Sequence, residues 1–225
     1  MKKLKYIFLL AGALSLASCE SWLDEDPQYT INTKTQFSTV ENARQALMGC
    51  YGYMSADNAY GQAWQEVTFG YCGFGWSQTN GSSTDLLVSM DGGIDETINT
   101  MAWRGMYKVI GETNAFIANI ADSPLESADK LPMEAAARFL RALAYYNLAV
   151  TYGDVPLKTT PSAHDGVAVP RSPKNEVFEL VRTDWEFAYE NLPEKDDDGF
   201  ATKWAAQAYL GRLYPTLGCQ GDNTA

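Results

Sequence analysis

Histidine, cysteine and basic charge are all scarce in this chain, and each shortage closes off a class of function. One histidine, His164, stands among 225 residues. It sits in a polar connection with no cysteine or carboxylate at ligand spacing, and the four cysteines match no zinc pattern. A Ser-His-Asp arrangement would have a single base to draw on, and no nucleophile-elbow sequence G-x-S-x-G occurs. The expectation is a non-enzyme with no metal and no cofactor. Lysine and arginine number 17 against 28 aspartates and glutamates, a formal charge of −11. Nucleic-acid binding requires a basic footprint, so that class falls away. The apolar run Tyr6–Leu14 is too short to span a bilayer permanently.

Apolar residues, by contrast, make up 46% of the chain, ample for a core, and the length fits one domain or one and part of another. Their densest stretch is Met133–Leu157. From Met133 to Val150 the strongly polar side chains are Glu134, Arg138, Arg141 and Asn147 alone. A helix so apolar around its circumference must be buried on several sides. Alanines at 135, 136, 137, 142, 144 and 149 allow close approach, with Phe139, Leu140, Tyr146 and Leu148 filling between. Arg138 and Arg141 share one side, where an acidic partner or a carbonyl would receive them. Gly153 is placed for a left-handed C-cap, and Pro156 forbids continuation.

Other helices follow from spacing. Ser38 and Glu41 read as a capping box opening a helix through Met54. Trp103, Tyr107, Ile110, Asn114, Ile117 and Ala121 form one buried stripe of a helix from Ile98 to Ala121. Trp103 is thus read as core, and Asn114 as a satisfied buried amide. The central helix opens near Pro132. Ser172-Pro173 caps a third helix that Pro193 ends, and Lys203–Tyr214 forms a last one that Pro215 interrupts. Leu148-Ala149-x-x-Tyr152 returns 62 residues later as Leu210-Gly211-x-x-Tyr214, a spacing near two tetratricopeptide periods of about 34 residues.

Between Ser55 and Glu96 periodicity fails. Tyr60, Trp64, Phe69, Tyr71, Phe74 and Trp76 alternate with glycines 61, 70, 73, 75 and 81. Loops this long within a domain are usually functional. Flat rings with nearby polar groups are what a sugar site requires, so the candidate ligand residues are Trp76, Phe74, Trp64 and Asp85. The plain alternative is that the rings pin the loop to the helices.

The N-terminus carries a separate signal. Lys2, Lys3 and Lys5 precede the apolar run, which closes on Leu16-Ala17-Ser18-Cys19, a sequence that resembles a bacterial lipoprotein cleavage box. That resemblance makes Cys19 the lipidated first residue of the mature chain, bearing acyl chains such as palmitate. It leaves 14 basic against 28 acidic residues, and three cysteines: Cys50, Cys72 and Cys219. At most one disulfide can form among these, and Cys50 reads as a small buried hydrophobe.

Several motifs, in one order, then point the same way. They are Leu23–Pro27, Phe37-Ser38-Thr39, Ala46–Tyr51, Trp103-x3-Tyr107-x2-Ile110-x3-Asn114, Arg138–Leu157, Pro170-Arg171, and Gly199-x2-Thr202-Lys203-x-Ala205-Ala206. Together they resemble the SusD/RagB family, surface lipoproteins of Bacteroidetes that capture nutrients, often glycans, beside a TonB-dependent transporter. The resemblance implies a mostly α protein, a tetratricopeptide-like helical scaffold (α-solenoid) with long irregular inserted loops. It implies residues 1–18 as signal peptide, 19–36 as extended leader, and 37–225 as the N-terminal helical domain, with the family's C-terminal half absent. Implied partners are a SusC-like transporter, a glycan or other nutrient, and the outer membrane through the lipid anchor, facing the exterior. Acidic residues Glu20, Asp24, Glu25 and Asp26 resemble the surface-export signal of such lipoproteins. Two alternatives remain: an anchored scaffold binding proteins only, and a surface glycoside hydrolase.

Overall fold

The computed structural model describes residues 33–70, 72, 75, 88–90, 97–161, 169–196 and 198–219. In chain order the helices are α1 (Thr33–Gln36), α2 (Val40–Ser55), a π-helical turn (Asp57–Gly61), α3 (Ala63–Gly70), α4 (Thr97–Ala121) and α5 (Ser127–Tyr152). A two-stranded antiparallel clasp follows, β1 (Val155–Pro156) with β2 (Arg171–Ser172), pairing Val155 with Ser172 and Pro156 with Arg171. The chain continues in α6 (Lys174–Asn191) and α7 (Lys203–Cys219).

Helix α5 is the axis of this scaffold, as its apolar circumference requires. Phe139–Ala149 is an unbroken buried run. Helices α2, α4 and α6 all pack against it. Its small residues are the contact points, with Ala135, Ala137, Ala142, Ala144 and Ala149 fully covered. Aromatic rings fill what the alanines leave. Tyr146 packs on Trp185 at 5.4 Å and on Phe178 at 6.1 Å, both from α6, and Phe139 meets Tyr209 of α7 edge-on at 5.5 Å. The Trp185 indole N–H donates to the Phe139 carbonyl at 3.3 Å, so even this buried ring has its polar atom satisfied.

Several boundaries differ from the sequence reading, each for a local reason. The cap of α2 is Thr39, not Ser38: Thr39 is extended (φ −133°, ψ 154°) and its hydroxyl accepts from the Asn42 N–H at 3.2 Å. Ser38 turns back to donate to the Thr35 carbonyl. Helix α5 begins at Ser127, five residues before Pro132, because a proline near a partly exposed first turn removes only one hydrogen bond. Ser172 does not cap α6; it is held in the clasp, and the Asp154 carboxylate accepts from the Lys174 N–H at 2.9 Å instead. Helix α7 runs through Pro215 to Cys219. The leader also becomes helical earlier than read, at Thr33. Gly153 does end α5, at φ +77°, ψ −123°, a conformation only glycine adopts freely, with its N–H on the Ala149 carbonyl.

Candidate functional site

Two polar features of the scaffold fix the segments on which a site would be built. The first is a buried chain of charge-assisted bonds. Arg141 of α5, 5% exposed, meets Asp184 of α6, fully buried, through Nε and Nη2, both at 2.8 Å. Its Nη1 donates to the Asn114 side-chain carbonyl of α4 at 2.8 Å. Asn114 in turn donates to the main-chain carbonyls of Lys158 at 3.0 Å and Thr160 at 3.3 Å. The Tyr145 hydroxyl donates to the Lys158 carbonyl and accepts from the Lys158 N–H, at 2.8 and 2.6 Å. The Tyr107 hydroxyl donates to the Pro156 carbonyl at 2.7 Å, and burial raises its pKa, with Tyr145 adding to the effect. Three helices and the exit of α5 are thereby tied together. Arg138 takes Glu134 at 2.6 Å and lies 3.6 Å from Asp184.

The second feature is the foot of the aromatic stretch. The Asp57–Gly61 turn crosses α4 at Gly105, where a Cβ would stand 1.9 Å from the Asn58 carbonyl oxygen. Only glycine permits that approach. The Tyr60 hydroxyl accepts from the Asn147 amide of α5 at 2.8 Å, and burial raises the Tyr60 pKa. Trp64 of α3 is 8% exposed and lies 6.3 Å from the Tyr60 ring. Trp64 thus stands in the core under this turn. Phe74, Trp76 and Asp85, like Cys19 and His164, lie outside the described residues. What the foot does present to solvent is Phe69, 60% exposed, beside Gly75 and Val88, and the exposed Met90. Sequence reasoning missed Phe69 as an outward ring because α3 was not recognised. On a helix in which Trp64 and Val67 face inward, Phe69 must point out.

A cleft lined by Arg44, Leu47, Met133, Pro193, Asp196 and Phe200 offers about 50 Å³. Small-molecule pockets start at about 300 Å³, so this one takes no sugar ring. Arg44 closes its rim, with Asp198 at 2.5 Å, Asp196 at 3.4 Å and the Phe200 ring 4.8 Å away. Among the described residues no group of three or more His, Cys, Asp or Glu is placed to hold a metal ion. Nor is any described helix long and apolar enough to cross a membrane. Cys50 is buried and Cys72 exposed, both free.

Helices stacked about α5, with the Asp57–Gly61 turn and α3 set between α2 and α4, define a helical-repeat scaffold of the tetratricopeptide type. Comparison with known proteins narrows that class. The SusD-like family model described as "Starch-binding associating with outer membrane" matches residues 21–215, and the chain belongs to that family. Among curated relatives, SusD-like protein P25 of Formosa agariphila is 26% identical over 93% of this chain and 42% of its own. A SusD superfamily structure from Bacteroides thetaiotaomicron superposes with TM-score 0.71 at 25% identity, covering 82% of this chain and 44% of that one. A "Laminarin binding SusD-like protein" superposes with TM-score 0.69 at 24% identity, over 82% of this chain and 41% of its own. The chain spans less than half the length of these relatives.

Proposed function

We propose that this chain is a lipid-anchored outer-membrane protein that binds a glycan and passes it to a SusC-like, TonB-dependent transporter, without catalysing a reaction. The observation that carries this reading is the family match over residues 21–215, a family described by starch binding and association with the outer membrane. Two features of the chain support it. The charged, apolar and Leu16–Cys19 segments stand in the order that lipid attachment at Cys19 requires, with residues 1–18 as the removed signal and the leader beyond. The aromatic stretch from Tyr60 onward has an exposed ring at its foot and more rings than a connection needs.

Ligand contact is assigned to Trp76 first, with Phe74 and Asp85 in the same stretch; Trp64, grouped with them on sequence, is a core ring packed on Tyr60 and contributes by holding the turn that leads into the stretch. Stacking on a ring and hydrogen bonds to hydroxyls need neither charge nor metal. Loss of one platform is expected to weaken binding about tenfold, or about 1.4 kcal/mol. Calorimetric titration of the form beginning at Glu20, against a glycan selected on an array, tests this. Undiminished affinity in a folded Trp76→Ala, Phe74→Ala double variant would move the site elsewhere. Product release from the glycan would instead favour a hydrolase, and no glycan binding at all a scaffold for proteins. Radioactive palmitate should label the wild type and not Cys19→Ala. Equal labelling of both would remove the anchor.

A further inference from the structure

Between Met133 and Val150, α5 has four strongly polar side chains, and three of them bond within α5 or to another long helix. Arg138 takes Glu134 and approaches Asp184, while Arg141 takes Asp184 and Asn114. Asn147 is the exception. It lies in the buried run Phe139–Ala149, and its short bond leaves the long helices for the Tyr60 hydroxyl, at 2.8 Å. A buried amide is costly without a partner, so Asn147 suits this position only while Tyr60 stands opposite it. Tyr60 is in turn a joint with three contacts. Its hydroxyl reaches α5, its ring meets Trp64, and its carbonyl accepts from the Gln65 side-chain amide of α3 at 2.6 Å. Asn58, two residues earlier in the same turn, lies over Gly105 of α4. Met106, the next residue of α4, lies beside Asn147, with its Sδ 3.9 Å from Nδ2. One patch of α4 and α5 thus holds the turn by shape at Asn58 and by a directed bond at Tyr60.

Helix α3 leads from this joint toward the candidate ligand residues. Beyond its end, Cys72 donates to the Phe69 carbonyl through its N–H at 3.3 Å and its Sγ at 2.8 Å. Gly75 comes back against the same residue: a Cβ built there would stand 3.2 Å from the Phe69 carbonyl oxygen and 3.3 Å from its ring. Trp76 is the next residue of the chain. We propose that Asn147 and Tyr60 are positioning residues for ligand capture. Their hydrogen bond sets the angle at which α3 lies on the scaffold and, through Phe69 and Gly75, the entry into the stretch that contains Trp76. This rests on the reading of that stretch as the ligand site. A hydrogen bond suits the task because it constrains direction as well as distance, whereas apolar burial is non-directional.

Three variants of the form beginning at Glu20 test the proposal: Tyr60→Phe, Asn147→Leu and the two together. Each single change strands one polar group and should lower Tm. The double variant removes donor and acceptor alike, a replacement close to neutral, so its Tm should return to within about 2 °C of wild type. Asn147→Ala takes the place of Asn147→Leu if the larger side chain prevents that recovery. At equal stability, and with no glycan present, the α3 amides of the double variant should exchange about tenfold faster. Its affinity for the array-selected glycan should stay about tenfold below wild type. Exchange and affinity that both return with Tm overturn the proposal, because the bond is then structural only. Faster exchange with undiminished affinity overturns it too, since α3 shifts and the site does not follow. A wild type that binds no glycan refutes the ligand reading itself, and exchange then decides alone: faster in α3 supports the orienting bond, unchanged refutes it.

Discussion

Replacing Asp184 by alanine is the sharpest probe of the scaffold, because the structure gives the penalty a direction as well as a size. In the wild type Arg141 has two 2.8 Å bonds to Asp184 and one to Asn114. Asp184→Ala leaves that guanidinium 95% covered with only the neutral Asn114 opposite it. Breaking one side of a buried pair typically costs about 3–5 kcal/mol, against a total stability of about 5–15 kcal/mol. The opposite truncation is milder. In Arg141→Met the carboxylate keeps Arg138 at 3.6 Å, so the loss should fall near or below the lower end of that range. Replacing both, Arg141→Met with Asp184→Leu, removes two desolvated charges and should come within about 2 kcal/mol of wild type. Urea melts of the four proteins at neutral pH, with equal m-values required, measure all three differences. The Lys158 amide, held by the Tyr145 hydroxyl beside the Asn114 link, should exchange faster in Asp184→Ala. A loss below about 1 kcal/mol for Asp184→Ala, or a greater one for Arg141→Met, would refute the reasoning.

Gly105→Ala should destabilise by more than the usual 1–3 kcal/mol of overpacking, since its Cβ would meet a backbone oxygen at 1.9 Å that no rotamer can move; a thermal melt within about 1 °C of wild type would contradict this. Ala144→Trp in α5, where Ala144 has no exposed surface, should abolish cooperative unfolding by circular dichroism, and an unchanged melt would deny the packing. Burial, with the charge of Glu112, pushes the Cys50 thiol up to about 12, and burial pushes Tyr51 up to about 12. The fold favours both neutral forms, so their contribution is full below about pH 9 and is lost as pH rises toward 12. Tm should fall across that window, less steeply in Cys50→Ala, and a flat profile would count against the burial of both groups.

The long helices were legible because their stripes are long: α4 shows six positions at helical spacing, of which all but the exposed Ala121 are buried or packed against the core, and α5 almost nothing but apolar side chains. Helix α3 was not, since among its eight residues only Trp64 and Val67 are large inward side chains, and its other two buried positions, Ala63 and Gly70, carry little apolar signal. Pro215 misled in the same way. A proline on the exposed side of α7 forfeits one solvent-facing bond, which packing through Leu213 and Leu217 outweighs. Of the buried ion pair, the sequence showed Arg141 seeking an acid or a carbonyl but not which, because Asp184 lies 43 residues away on another helix. Asn114 was placed as a satisfied amide, and its three partners bear that out. The family and the helical scaffold were visible in ordered motifs. For the candidate ligand residues, Trp64 had a position on α3 that periodicity did not reveal.

The clasp of β1 on β2 bears on how such a scaffold diversifies. Its two paired positions bring the ends of the intervening connection together beside α5, and Asp154 ties the same point to the start of α6. For a flexible connection whose ends are already held, doubling its length adds only about 0.6 kcal/mol of closure entropy. Asn114 and Tyr145 hold that connection as far as Thr160, so length changes between Pro161 and Val169 are insulated from the helices. Evolution can rewrite that stretch, and an engineer can graft a foreign peptide into it, while the register of α5 on α6 stays as it is.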